Sequence, residues 1–149
     1  LWLNNEDHTL QHVTEISKNQ GGLSTHLTLD TPHQFGRSLA SIGDLNDDGH
    51  IDLAVAEKDS TMRVLFLTSA AQVGTVGPAI IHGTAADDFG AAMSGLGDVN
   101  GDGLSDLVVG MPGRDHSVCL GCGSVVIVFL ATDGSVADRR RTNSQERCL

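Results

Sequence analysis

The sequence predicts an all-β chain made of β-propeller blades, each a meander of four antiparallel strands, in an incomplete ring. Three observations predict it. The chain repeats itself at a fixed offset, its apolar residues fall in short runs rather than helix-length stretches, and each repeat contains four such runs. Sliding the sequence by 54 residues lays Phe35-Gly36 on Phe89-Gly90, and Gly43-Asp44-Leu45-Asn46-Asp47-Asp48-Gly49 on Gly97-Asp98-Val99-Asn100-Gly101-Asp102-Gly103. The register holds through Asp52-Leu53 on Asp106-Leu107 and Val55 on Val109. Between 35 and 56, ten of the 22 aligned pairs are identical. Roughly one or two would match by chance, and a period of about 50 marks solenoids, propellers or arrays.

Leu1-Trp2-Leu3 reads as the tail of a third strand from an earlier blade, and 11–16 as its fourth strand. The first full unit has strand A at 36–43, B at 51–56, C at 62–68 and D at 75–81. The second has A at 90–97, B at 104–110, C at 123–131 and a poor fourth strand from Val136 onward. These runs are rich in Val, Ile and Leu and are bounded by Gly, Asn and Asp, which favours strands. The chain therefore divides into the end of a preceding blade at 1–17, one blade at 18–81, a second at 82–138 and a divergent polar tail at 139–149, which contains Arg139-Arg140-Arg141. The alternative is an ordinary sandwich of two hairpin pairs. Two or three blades close no ring and leave sheet edges open, so further blades are expected. The chain opens on an apolar triplet without Met, and its true start is expected upstream.

With 149 residues, 40% of them hydrophobic, the chain has enough apolar material for a core. Its 19 acidic residues against nine basic ones give a formal charge of −10 at pH 7, which argues against nucleic acid as a partner. No apolar run reaches the roughly 18 residues that a membrane-crossing helix needs, and no basic-then-apolar leader is visible. Three cysteines are too few for a disulfide framework. Cys119 and Cys122 are read as incidental or locally bridged loop residues, with pairing outside the chain and metal or redox use as alternatives, and Cys148 is unassigned. The seven histidines (His8, His12, His26, His33, His50, His82 and His116) are scattered, and no G-x-S-x-G, H-E-x-x-H or phosphate-loop motif occurs, so no enzyme is predicted.

The chemistry lies between strands A and B. Each repeat carries D-x-N-x-D-G-x-x-D there: Asp44, Asn46, Asp48, Gly49 and Asp52, then Asp98, Asn100, Asp102, Gly103 and Asp106. Oxygen side chains at positions 1, 3 and 5 of a tight loop converge, and the following Gly permits the turn. Ca²⁺ takes six to eight such hard oxygens. The backbone carbonyls of His50 and Leu104 are the expected seventh-position donors. Three carboxylates per loop repel one another without a cation. An EF-hand would need Glu at position 12, where Val55 and Val109 stand, so that reading fails. Metal-free Asp-Gly turns are the plainer alternative. Six of the 19 acidic residues occupy these ligand positions, and two Ca²⁺ ions would bring the formal charge to −6.

Phe89-Gly90, the loop from Asp98 to Asp106, and Val109-Gly110-Met111-Pro112 together resemble the FG-GAP repeat, with Gly-Met-Pro where Gly-Ala-Pro is usual. The first copy keeps Phe35-Gly36 and its loop but has Ala56-Glu57-Lys58 in place of the tripeptide, which leaves its B–C connection open. The resemblance covers roughly residues 1 to 136 and is to the propeller of integrin α-subunits. It implies an extracellular or cell-surface Ca²⁺-binding module for adhesion or ligand recognition, with a protein or glycan partner. It also admits a non-catalytic propeller attached to a secreted enzyme such as a phospholipase, or a purely structural repeat.

In an up-and-down blade the A–B and C–D connections share one rim, and the B–C and D–A connections share the other. The loops at 44–52 and 98–106 are therefore expected on the rim away from 18–34, 57–61, 82–88 and 111–122, which are the predicted ligand-facing segments.

Overall fold

The computed structural model describes residues 2–3, 10–27, 34–117 and 119–137. The arginine-rich tail at 139–149, Cys148, His8 and His33 lie outside the described residues. Among the described residues the helical pieces are two short 3₁₀ turns, Leu23–Thr25 and Ala85–Asp87, and no helix is long and apolar enough to cross a membrane.

Strands β1 (Trp2–Leu3) and β2 (Leu10–His12) form a two-stranded antiparallel ladder. The first blade is a meander of β3 (Leu39–Ser41), β4 (Leu53–Ala56), β5 (Thr61–Leu67) and β6 (Val73–Val76), all antiparallel. Its fourth strand is split, because β7 (Ile80–Ile81) returns to the opposite end of β5, pairing Ile81 with Thr61. Pro78, which has no N–H to give a ladder, lies in the break. The second blade contains β8 (Met93–Gly97), β9 (Asp106–Met111) and β10 (Ser124–Val128) in the order β10-β9-β8. After β10 the chain turns at 131–134, and Leu130 bridges Val136. The weak fourth strand read from Val136 is thus one bridge among the described residues.

Strand A of the first blade is shorter than 36–43. The amides of Gly36 and Arg37 both point to the Ala56 carbonyl, which curls the chain before β3 begins. The B–C connection left open by the missing Gly-Met-Pro is a tight turn in which Glu57 N donates to Thr61 O, with Asp59 and Ser60 in the left-handed region.

Strand alternation assigns each blade face to a neighbour. Leu53, Val55, Leu65 and Leu67 pack with Ile16, Leu23 and Leu27 from the preceding segment. On the reverse face, Ala54, Met62, Val64 and Phe66 meet Leu107, Val109, Met111 and Val128 of the second blade in the main core. Leu53 and Val55 in β4 and their 54-residue counterparts Leu107 and Val109 in β9 therefore look in the same direction, toward what precedes their blade. The far face of the second blade presents Val125 and Ile127, which are 69% and 48% exposed.

Candidate metal centre

Both D-x-N-x-D-G-x-x-D segments form the A–B turns, and their acidic side chains fold onto the loops' own amides. In the first loop the Asp44 carboxylate accepts from Asp48 N (3.0 Å) and Gly49 N (2.7 Å). Asp48 accepts from His50 N and from Asn46 Nδ2, both at 2.9 Å. In the second, Asp98 accepts from Gly101 N (2.7 Å), Asp102 N (3.1 Å) and Gly103 N (2.8 Å). Asp102 accepts from Leu104 N (2.9 Å) and Asn100 Nδ2 (2.8 Å). Gly49 and Gly103 have φ of +86° and +89°, a backbone that side-chain-bearing residues rarely adopt, so the sixth position of each loop is glycine for a steric reason.

The ninth-position acids are the buried members. Asp52 and Asp106 are both fully inaccessible to solvent. Asp52 Oδ2 accepts from Leu45 N (2.9 Å) and Oδ1 from Leu67 N (3.1 Å), so one carboxylate ties the A–B turn to the end of β5. Asp106 Oδ2 accepts from Val99 N (2.9 Å), whereas its Oδ1 is buried with no hydrogen-bond partner among the described residues. Burial pushes the Asp52 carboxyl above the ordinary carboxylate range, outweighing its two amide bonds, and the nearby Asp48 and Asp44 charges push the same way. The Gly103 amide, with those of Gly101 and Asp102, holds Asp98 below that range. Asn46 and the His50 amide do the same for Asp48.

Among the described residues no three His, Cys, Asp or Glu side chains are gathered closely enough to hold a metal ion as they stand. The donor set nevertheless fits a hard cation. The repeated motif positions of each loop offer two exposed carboxyl groups, an amide side chain and a buried carboxyl group, all carrying oxygen donors, and Asp106 Oδ1 is a buried oxygen, unpartnered among the described residues, that a cation would satisfy. Asp44, Asn46, Asp48 and Asp52 would hold one ion, and Asp98, Asn100, Asp102 and Asp106 the other. His50 and Leu104 enter this structure through their amides.

The opposite rim is a single bonded network. Ser60 Oγ donates to Thr84 O, and Phe89 N donates to Ser60 Oγ (3.4 Å). Asp87 caps its own 3₁₀ turn through Thr84 and accepts from Arg114 Nη1 (3.0 Å), while Gly113 N donates to Asp87 O (3.2 Å). Cys119 and Cys122 are joined as a disulfide in the loop after β9, with Leu120 between them 86% exposed. Sequence reasoning placed 82–88 and 111–122 on this rim but missed Arg114, Asp87 and Ser60 as the residues that join them. It also placed all of 18–34 there. Instead, Gly21 O accepts from Val73 N at the C–D end of the first blade, and Leu23 is buried against Val55 and Leu65, so this part of the segment follows the apolar face.

Residues 44–109 match the family model described as FG-GAP-like repeat. The chain carries an FG-GAP-like repeat. It is 32% identical over 103 residues to integrin alpha-PS5 of Drosophila melanogaster, which covers 60% of this chain. It is 31% identical over 109 residues to integrin alpha-3 of Cricetulus griseus and 31% over 110 residues to integrin alpha-V of Gallus gallus, each match covering 67% of the chain. The aligned portions span about a tenth of those relatives' lengths (10%, 10% and 11%). In the FG-GAP repeat the two halves of the motif meet directly: Gly90 N donates to Gly110 O (3.2 Å), and Gly110 N donates to Ala92 O (2.9 Å). Ala56 takes the place of Gly110 in the first copy, accepting from Gly36 N and donating to Ser38 O.

Proposed function

We propose that this chain is a Ca²⁺-stabilised part of an extracellular adhesion or ligand-recognition head. It binds two Ca²⁺ ions in the turns at 44–52 and 98–106 and presents the loops of the opposite rim to a protein or glycan ligand. The observation that carries this reading is the repetition of one oxygen-donor array at the same turn of two blades, one of them with a buried carboxylate oxygen that has no partner among the described residues. Similarity to integrin α-subunits favours recognition over catalysis and a cell-surface setting. The ions act indirectly: by fixing each A–B turn they stiffen the hairpin whose other strand ends carry the Ser60, Thr84, Asp87 and Arg114 network.

Calorimetric titration of Ca²⁺ into the chain tests the reading. Two bound ions and a melting temperature lowered by chelator are expected, with affinity in the range of extracellular modules, about 10⁻⁴–10⁻³ M. Absence of Ca²⁺ binding at millimolar concentration and an unchanged melting temperature in chelator would refute it. Once a ligand is found on a protein or glycan array, Leu120→Glu is expected to weaken its binding while leaving Ca²⁺ affinity intact.

The far face of the second blade supports continuation into further blades. Val125 and Ile127 occupy the side that in the first blade is covered by its successor. A third blade packed on them would bury the face in the same way.

A further inference from the structure

The two turns share their donor residues, yet they differ in how the buried acid is satisfied. In the first turn both oxygens of Asp52 accept backbone amides, Leu45 N within the turn and Leu67 N at the end of β5. In the second, Asp106 Oδ2 accepts from Val99 N in the matching way, but no donor among the described residues reaches Oδ1, although Asp106 is equally buried. Position four also differs. Asp47 holds a left-handed backbone (φ +60°) where Gly101 (φ +81°) occupies the second turn without a side chain.

Resting on the Ca²⁺ reading above, we propose that the two sites are unequal: the turn at 98–106 takes Ca²⁺ first and depends on it for its structure, whereas the turn at 44–52 is held by the bond from Leu67 to Asp52 and fills second. A buried carboxylate oxygen without a partner bears its full desolvation cost until a cation supplies the missing interaction. At Asp52 two backbone amides already offset part of that cost, so an ion there gains less. The extra charge of Asp47 pulls the other way, but it sits on an exposed side chain where solvent screens it, and exposed charge pairs contribute little. The Ca²⁺ at Asp106 would do the work in the second blade that Leu67 N does in the first.

The test is a Ca²⁺ titration of the intact chain followed by amide NMR, with calorimetry in parallel. The Gly103 and Leu104 amides are expected to shift at a Ca²⁺ concentration about tenfold below that which shifts Gly49 and His50, a difference of about 1.4 kcal/mol. Asp102→Ala should remove the tighter step and Asp48→Ala the weaker one. Should either variant fail to fold, the order of the wild-type amide shifts decides alone. Both turns filling together, or 44–52 filling first, would overturn the inequality while leaving the Ca²⁺ reading intact. Absence of any shift in either turn would overturn both.

Discussion

The guanidinium of Arg37 donates to both carboxylate oxygens of Asp88, from Nη1 to Oδ1 and from Nη2 to Oδ2 at 2.7 Å. Arg37 directly follows the first Phe-Gly and Asp88 directly precedes the second, so the pair clamps the start of one blade to the start of the next. Beside it, Ser38 Oγ donates to Gly90 O at 2.6 Å, which makes the seam polar at this edge and apolar within. Because both side chains are only partly buried, Arg37→Ala should cost about 0.5–1 kcal/mol. Arg37→Lys should recover part of that, since an ammonium keeps the charge but not the two-pronged geometry. Chemical denaturation of the three proteins measures both differences.

The same clamp fixes a direction for acid sensitivity. Hydrogen bonding and charge from Arg37 hold the Asp88 carboxyl below its ordinary value of 3.8. The Thr84 amide and Arg114 do the same for Asp87. A carboxylate whose folded value is depressed binds fewer protons than it does in the unfolded chain. Its contribution is complete above the ordinary value and is lost as pH falls through the folded one. Stability measured between pH 5 and pH 2.5 should therefore fall, and Arg37→Ala should lose less over that interval than the wild type. An equal slope in both proteins would exclude the clamp as a source of acid sensitivity.

The two Phe-Gly glycines should respond differently to one added methyl group. Both have positive φ, +85° at Gly36 and +86° at Gly90, so alanine at either position costs about 1–2 kcal/mol in backbone strain. A Cβ at Gly36 meets nothing within 4 Å, whereas at Gly90 it would sit 2.8 Å from the Ala56 Cβ across the seam. Gly90→Ala should lose a further ~1–3 kcal/mol through overpacking. Matching thermal shifts for the two variants would contradict the close approach of the blades at Ala56.

Phe89 is completely buried in the core between the blades, and its ring lies 5.5 Å from that of His82. Phe89→Ala should cost about 3–5 kcal/mol, while Phe89→Leu should cost distinctly less. Unfolding in guanidinium should remain a single transition if the seam joins the blades into one cooperative unit.

The exposed face of the second blade supplies a test of continuation. Lysine at Val125 or Ile127 should change the stability of the 149-residue chain by no more than about 0.5 kcal/mol, as expected for exposed positions. In a longer chain with a blade packed on that face, the same substitutions should cost several times more, because the charge would be buried without a partner.

Much of the blade architecture was legible in the residues because blades are local. A meander joins each strand to its sequence neighbour, so short apolar runs and Asp-Gly turns locate β4, β5, β9 and β10 within two or three residues of where they lie. The repeat also located both Asp-rich turns, since glycine at 49 and 103 and alternating oxygen side chains form a local pattern. Less legible were the split of the fourth strand around Pro78 and the path of 21–27 over the blade face. In both, a segment makes contacts that its own residues do not specify.

By itself, then, the sequence determined the all-β class, the repeat, the turn positions and the kind of donor each turn offers, because these follow from residue spacing and side-chain chemistry along the chain. The tertiary structure decided how the blades are joined and how the two turns differ. Arg37 meets Asp88, Gly90 admits Ala56, and Leu67 reaches Asp52 while no amide of the described residues reaches Asp106 Oδ1. Those outcomes depend on where a distant backbone N–H or methyl group comes to rest once the sheets have packed. Two turns with the same motif residues therefore fold with different hydrogen bonding at the buried acid.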